Sequence, residues 1–226
     1  MELLRTEGLS KVYGSRDTQV TALKPTNLVI NQGEFTAIIG PSGSGKSTLL
    51  HLLAALDRPS SGKVFVNNKD IYAMNENELS AFRRRNIGFI FQAFNLMPIL
   101  SVEENIKLPL LMDGKKVDKA HIREIMKTLD IEDRAKHLPG ELSGGQQQRT
   151  SIARALANKP SIIFADEPTG NLDSKNSNEV LDLLTTSIKK YNQTLVMITH
   201  DKEIANRADR IITLFDGGIV EDISKR

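Results

Sequence analysis

The feature that most constrains the fold is a glycine-rich segment between a strand-like run and a helical pattern. The run Thr36–Ile39 is mostly apolar, and residues 40–48 then read Gly-Pro-Ser-Gly-Ser-Gly-Lys-Ser-Thr. A helical pattern follows from Lys46 to Leu56. This order of strand, tight glycine loop and helix is typical of an α/β fold in which the loop lies at the edge of a parallel sheet.

The same segment has the chemistry of a phosphate-binding loop. Glycines let backbone N–H groups turn inward without a Cβ clash, and a helix N-terminus attracts negative charge. We therefore predict that the loop binds a nucleotide phosphate through Gly40, Pro41, Ser42, Gly43, Ser44, Gly45, Lys46, Ser47 and Thr48. Lys46 would contact the β- and γ-phosphates, and Ser47 would ligate Mg²⁺. The loop alone does not distinguish among kinases, GTPases and ATPases.

Strand and helix patterns alternate along the rest of the chain. Further strand-like runs are Ile87–Phe91, Ser161–Ala165, Thr194–Ile198 and Arg210–Phe215, and further helical patterns are His121–Leu129, Gln146–Ala157 and Asn176–Lys189. They predict an α/β fold, a P-loop NTPase of RecA-like type with a mainly parallel sheet. Runs at Leu3–Leu9, Thr21–Ile30 and Gly62–Val66 predict an N-terminal antiparallel β subdomain. We expect one domain over 1–226, in which residues 93–142 form an inserted helical subdomain and residues 1–92 and 143–226 form the core with its β subdomain.

Polar side chains follow three of the predicted core strands. Asp166 and Glu167 end one strand, Gln92 ends another, and His200 follows a third through Thr199. Parallel sheets bind ligands at the carboxyl ends of their strands. Asp166 would hold Mg²⁺ through water, and Glu167 would activate the attacking water. His200 would contact the γ-phosphate and Gln92 would help to ligate Mg²⁺, although either could be incidental.

A second predicted helix start also has the features of a phosphate-binding site. Leu142-Ser143-Gly144-Gly145-Gln146 precedes a helical pattern, and Ser143 is a natural N-cap. Two glycines there destabilise a helix by about 1 kcal/mol each, which makes sense if a phosphate approaches the backbone closely. The chain thus has two phosphate-type helix starts but one phosphate loop. A head-to-tail dimer, with each ATP between Lys46 of one subunit and Ser143 of the other, uses both.

With these motifs, the sequence resembles the ABC ATPase family over nearly its whole length. The residues that match, in the family's order, are 40–48, Gln92, 142–146, 162–167, Asn171-Leu172-Asp173 and His200. The resemblance implies an ATPase that uses ATP and Mg²⁺, with Tyr13 stacked on adenine and Asp173 on a loop that faces the partner subunit. It also implies a separate membrane permease as partner and a cytoplasmic location, peripheral on the inner face of the membrane.

The finer resemblance is to the macrolide-export, lipoprotein-release and antimicrobial-peptide-resistance branch. It is carried by residues 82–92, 94–98 and 165–174 and by the spacer Ser15–Val20. Membership of this branch does not specify the cargo, the direction of transport or the permease. A signalling complex that moves no cargo stays an alternative to a transporter. A C-terminal regulatory domain is not expected, because the chain stops soon after Asp222.

Composition and charge disfavour several other functions and partners. The net charge of +2 and the absence of a basic tail disfavour a nucleic-acid partner, and the absence of cysteine excludes thiol chemistry. A small-molecule kinase would give the 142–146 segment no role. No apolar run approaches the roughly 18 residues that span a bilayer. The apolar segment from Phe94 to Leu100 is predicted to receive the membrane partner, or else to pack within the helical subdomain.

Overall fold

The computed structural model describes residues 1–15 and 18–225, except for the side chains of Ser174 and Lys175. The predicted branch spacer Ser15–Val20 therefore lies partly outside the described residues. The strands are β1 (Glu2–Tyr13), β2 (Val20–Asn31), β3 (Phe35–Ile39), β4 (Ser61–Val66), β5 (Lys69–Asp70), β6 (Ile87–Ile90), β7 (Ile162–Asp166), β8 (Thr194–Ile198), β9 (Arg210–Phe215) and β10 (Gly218–Ser224). The helices are α1 (Lys46–Leu53), α2 (Glu76–Asn86), α3 (Val102–Met112), α4 (Lys119–Thr128), α5 (Gly144–Leu156), α6 (Ser174–Lys190) and α7 (Lys202–Asn206).

The chain forms two compact units. The first comprises residues 1–83 and 194–226, and the second comprises residues 84–193. The predicted boundaries of a helical subdomain at 93 and 142 stay a prediction. No helix in the described part of the chain is both long and apolar enough to cross a bilayer.

The first unit contains an antiparallel sheet and a mainly parallel one. The antiparallel sheet has the order β2-β1-β4-β5, as the N-terminal patterns predicted. In the other sheet β3 lies between two parallel neighbours, with Ile38 opposite Ile198 of β8 and Ile212 of β9. All three isoleucines are fully buried, which explains why these strands have apolar rather than alternating sequences.

The second unit packs helices against a parallel strand pair. Ile90 of β6 lies opposite Ala165 of β7. Helix α5 lies close to β6, because a Cβ on Gly88 would be only 2.7 Å from the Ala155 carbonyl oxygen. The interior of the unit includes Ile152 and Phe164, both fully buried.

Three helices differ from the sequence expectation. Helix α1 ends at Leu53 rather than at Leu56, because Ala54 caps it and Ala55 has a left-handed φ of +54°. Helices α2 and α7 were not predicted. Leu79 is the one buried residue of α2, so that segment has no apolar periodicity to signal a helix.

Candidate nucleotide site

Two glycines of the phosphate loop occupy positions where a side chain would collide with backbone. Gly40, directly after β3, has a φ of +148°, and a Cβ there would lie 2.1 Å from the Leu214 carbonyl oxygen. Gly45 caps α1 with a φ of +97°, and its Cβ would lie 2.3 Å from the Ala22 carbonyl oxygen. The loop can therefore pack against β2 and β9 only with glycine at both positions.

The loop also presents the donors that a phosphate needs. Lys46 is only 9% exposed, and its Nζ donates to the carbonyl oxygens of Gly40 at 3.0 Å and Pro41 at 2.8 Å. The buried Ser44 Oγ has no hydrogen-bond partner in the described part of the chain. The first N–H groups of α1 have no acceptor within the helix. A cation, an unsatisfied hydroxyl and these N–H groups together fit a nucleotide phosphate.

Tyr13 is the last residue of β1, and a hydrogen bond fixes the position of its hydroxyl. The hydroxyl donates to Asp57 Oδ2 at 2.7 Å, and Lys11 Nζ donates to Asp57 Oδ1 at 2.8 Å. Partial burial, followed by the hydrogen bond to Asp57, raises the pKa of Tyr13, while a hydrogen bond with Thr48 opposes the rise. The contact with Thr48 places Tyr13 beside the phosphate loop. Tyr13 is 42% exposed, enough for its ring to stack on a flat base.

Asp57 is a residue that sequence reasoning missed. Partial burial would raise the pKa of its carboxyl, but hydrogen bonds from Lys11 and Tyr13 outweigh that effect, and the pKa lies below its ordinary value. The ionised carboxylate therefore orients Tyr13. Forty-four residues separate the two in sequence, so no local pattern signals the pair.

His200 lies at the same strand edge as the loop. Beyond the Ile38–Ile198 pair, the Thr199 N–H donates to the Ile38 carbonyl oxygen at 3.2 Å, and the exposed His200 follows. Gly40 follows β3 in the same way. The carboxyl ends of two adjacent parallel strands thus bring His200 and the phosphate loop to one edge of the sheet.

In the second unit, β6 and β7 present Gln92 and the acidic pair at a common edge. Asp166 ends β7, and Gln92 follows two residues after Ile90, which pairs with Ala165. Glu167 adopts a left-handed φ of +44°, which is unfavourable for a residue with a side chain. Strain of this kind concentrates at functional sites.

Close contacts fix the turn after Glu167. The Gly170 N–H donates to the Glu167 carbonyl oxygen at 3.0 Å, and Asn171 Nδ2 donates to the Gln92 carbonyl oxygen at 2.9 Å. A Cβ on Gly170 would lie 2.7 Å from Gln92 Nε2. Gln148 Nε2 donates to the carbonyl oxygen of Pro168 at 2.6 Å. Asn171 is part of the segment that matched the ABC ATPase family, whereas no sequence pattern pointed to Gln148.

The second helix start has the predicted cap. Ser143 is the N-cap of α5, and its Oγ accepts a hydrogen bond from the Gln146 N–H while the Gln146 side chain accepts from the Ser143 N–H. Gly144 and Gly145 are the first two helical residues. Space also favours glycine there, since a Cβ on Gly145 would lie 3.2 Å from Asn176 Oδ1.

A polar cavity of about 350 Å³ lies beside this helix start. Its lining residues are Asp130, Asp133, Arg134, Ser143, Gly145, Gln146, Arg149 and Asn176. Arg149 is held by Asp130 at 3.0 Å and by Glu179 at 2.9 Å. The cavity is large enough for a phosphate group, and sequence reasoning did not identify its arginines.

Asp173 has a local role in the structure. Its carboxylate caps α6 by accepting hydrogen bonds from the Asn176 N–H at 3.0 Å and from Asn176 Nδ2 at 2.6 Å. Its predicted position opposite a partner subunit stays a prediction.

The predicted site residues divide between the two units. The first unit brings together Tyr13, the phosphate loop from Gly40 to Thr48, and His200. The second unit contains Gln92, the segment from Leu142 to Gln146, Asp166, Glu167 and Asp173. Gln92, Glu167 and His200 lie just beyond the carboxyl ends of β6, β7 and β8, respectively.

Comparison with known proteins identifies the family. Residues 23–170 match the family described as ABC transporter. The chain is 45% identical over 222 residues to the lipoprotein-releasing system ATP-binding protein LolD of Geobacter metallireducens, covering 97% of this chain and 99% of LolD. It is 46% identical over 222 residues to the macrolide export ATP-binding/permease protein MacB of Bdellovibrio bacteriovorus, which it matches over 34% of that protein's length.

A solved structure shares the fold. The dimeric structure of a post-hydrolysis state of the ATP-binding cassette MJ0796, bound to ADP and Pi, superimposes with a TM-score of 0.90 at 41% identity, covering 99% of both chains. The predictions of family, of α/β fold class and of ATPase function are thereby confirmed. The chain belongs to the ABC transporter family and is one of its ATP-binding cassettes.

Proposed function

We propose that this chain drives a membrane transporter by binding two ATP molecules in a homodimer and hydrolysing them. The observation that carries the proposal is the presence of two phosphate-type helix starts in one chain, at Gly45 and at Ser143. In a head-to-tail pair, the loop of one subunit and the Ser143 helix start of the other would hold the same ATP. The dimeric state of the related cassette supports this arrangement.

The residues take distinct roles in hydrolysis. Lys46 and the N–H groups at the start of α1 would bind the β- and γ-phosphates, and Tyr13 would stack on adenine. Glu167 would accept a proton from the attacking water, and His200 would contact the γ-phosphate. Mg²⁺, when bound, would neutralise phosphate charge. Ser47, Gln92 and Asp166 offer the oxygen ligands that it prefers, with Asp166 acting through water.

The substitution Glu167→Gln tests the dimer and the base together. Glutamine keeps the size of glutamate but cannot accept a proton, so hydrolysis should fall by about 10²–10⁴-fold while binding persists. With MgATP the variant should elute as a dimer on size exclusion, because uncleaved ATP joins the two subunits. Adding Ser143→Arg should abolish that dimer by blocking the phosphate. A monomeric Glu167→Gln protein at saturating MgATP would contradict the sandwich, and a wild-type rate would contradict the base.

We further propose that the segment from Phe94 to Leu100 contacts a membrane permease. Ile99 is 79% exposed and Met97 is 45% exposed. The segment is nevertheless fixed, because the buried Asn105 amide donates to the carbonyl oxygens of Met97 and Leu100. Contiguous exposed apolar surface marks interaction sites, and we assign Met97 and Ile99, two residues apart on this fixed loop, to such a surface. The names of the LolD and MacB relatives support transport across a membrane, whereas a signalling complex of the same fold stays the second candidate.

Charge substitution tests the contact. Ile99→Asp should reduce co-sedimentation with membranes of the native host, and ATP binding should be unchanged. Val220→Asp is the matched control, because Val220 is an equally apolar, 62% exposed residue on β10. Equal membrane association of the two variants would refute the assignment.

A further inference from the structure

A buried glutamine on α5 contacts the turn that carries Glu167. Gln148 is fully buried, and its Nε2 lies 2.6 Å from the Pro168 carbonyl oxygen and 3.5 Å from the Phe91 carbonyl oxygen. Pro168 directly follows Glu167, and Phe91 directly precedes Gln92. One side chain thus reaches both strand ends of the second unit that carry predicted catalytic residues.

The chemistry of the neighbours fixes the orientation of this amide. Carbonyl oxygens only accept hydrogen bonds, so the NH₂ group of Gln148 must face Pro168 and Phe91. Its Oε1 is then left buried without a partner in the described part of the chain. An unsatisfied buried polar atom destabilises a fold by about 1–3 kcal/mol. An apolar side chain of the same volume would remove this penalty at Oε1 but would take the donor away from the Pro168 carbonyl oxygen. The reason for glutamine at this position is therefore its hydrogen bond to that turn and not the filling of space.

The turn after β7 contains a residue with an unfavourable backbone conformation. Glu167 is held at a φ of +44°, a conformation that costs about 1–2 kcal/mol for a residue with a side chain. Of the side-chain hydrogen bonds described for this turn, the one from Gln148 to Pro168 reaches the residue adjacent to Glu167 and comes from a helix. A bond of this kind fixes the direction in which the Glu167 side chain leaves the backbone.

We propose that Gln148 is a positioning residue for ATP hydrolysis, which holds the Pro168 carbonyl and thereby aims the Glu167 carboxylate at the attacking water. Because Ser143 is the N-cap of α5, the helix that contacts ATP in the partner's site also orients the base of its own subunit. The inference rests on the proposed role of Glu167 as the base.

Gln148→Met tests the inference, with Gln193→Met as a matched control. Gln193 is also a buried glutamine of the second unit whose Nε2 donates to a proline carbonyl oxygen, that of Pro160 at 2.9 Å, and whose Oε1 has no partner among the residues that the structure describes. Gln148→Met should lower kcat about 10- to 100-fold, since a 1 Å displacement of a catalytic group can cost about 10²-fold. The KM for ATP and the midpoint of thermal unfolding should change no more than in Gln193→Met, and the control should keep the wild-type kcat.

Gln148→Glu supplies a second readout that does not depend on how well the methionine variant folds. A protonated glutamate can donate its O–H to the Pro168 carbonyl oxygen, whereas an ionised one repels it. Burial raises the pKa of such a carboxyl. The ratio of variant kcat to wild-type kcat should therefore rise as the pH falls from about 9 to 6.

The outcomes separate this inference from the proposed function. If Glu167→Gln keeps the wild-type rate, the base assignment fails and the inference fails with it. If Glu167→Gln is inactive but Gln148→Met keeps the wild-type kcat, the inference alone is overturned. The same holds if Gln193→Met lowers kcat as much as Gln148→Met does, or if the Gln148→Glu ratio is independent of pH.

Discussion

Two glycines of the phosphate loop make a controlled pair for measuring what the loop packing contributes. Gly43 and Gly45 both have left-handed backbones, with φ of +76° and +97°. A Cβ on Gly43 would meet nothing within 4 Å, whereas a Cβ on Gly45 would lie 2.3 Å from the Ala22 carbonyl oxygen. Alanine substitution at the two positions therefore differs chiefly in the collision with β2.

The structure sets the size of each effect. Gly43→Ala incurs about 1–2 kcal/mol for the left-handed conformation, offset by about 0.4–1 kcal/mol from the less flexible unfolded chain. A net loss of about 1 kcal/mol corresponds to about 2–4 °C in the melting temperature of a chain of this size. Gly45→Ala adds about 1–3 kcal/mol of overpacking, because a backbone oxygen cannot rotate away. Its melting temperature should fall by about 5–15 °C.

Differential scanning calorimetry of the nucleotide-free variants measures the difference. ATP titration of both proteins should also show weaker binding for Gly45→Ala, because the start of α1 must move away from Ala22 to relieve the overlap. Equal losses of melting temperature in the two variants would refute the reasoning, as would a larger loss for Gly43→Ala.

Two further substitutions examine single contacts. Lys46→Met should weaken ATP binding by about 10- to 100-fold by calorimetric titration, because a charged hydrogen-bond donor contributes about 1.5–3 kcal/mol; binding within threefold of wild type would argue against the phosphate-loop assignment. Gly170→Ala should lower kcat in steady-state assays, because its Cβ would displace the Gln92 side chain. Gly140→Ala, where a Cβ meets nothing within 4 Å, is the control, and equal rates for the two alanine variants would show that the position of Gln92 does not limit hydrolysis.

The sequence by itself determined the features that depend on near neighbours. The apolar run of β3, the glycine loop and the start of α1 are adjacent in the chain, so their order alone predicts a phosphate loop. The Ser143 cap also depends on a local pattern, whereas its reciprocal bond with Gln146 was not predicted. The alternation of buried strands with helices follows from apolar periodicity, whereas α2 went undetected because it buries only Leu79.

Only the tertiary structure decided the contacts between distant segments. Gly45 requires glycine because Ala22 of β2 approaches it, and Tyr13 is oriented by Asp57, which is 44 residues away in the sequence. Gln148 is one of three consecutive glutamines in the sequence, and only its contact with Pro168, 20 residues away, distinguishes it. The physical reason is that a local pattern encodes backbone conformation and the buried face of an element. Which atoms meet across the core depends on how the chain brings those elements together.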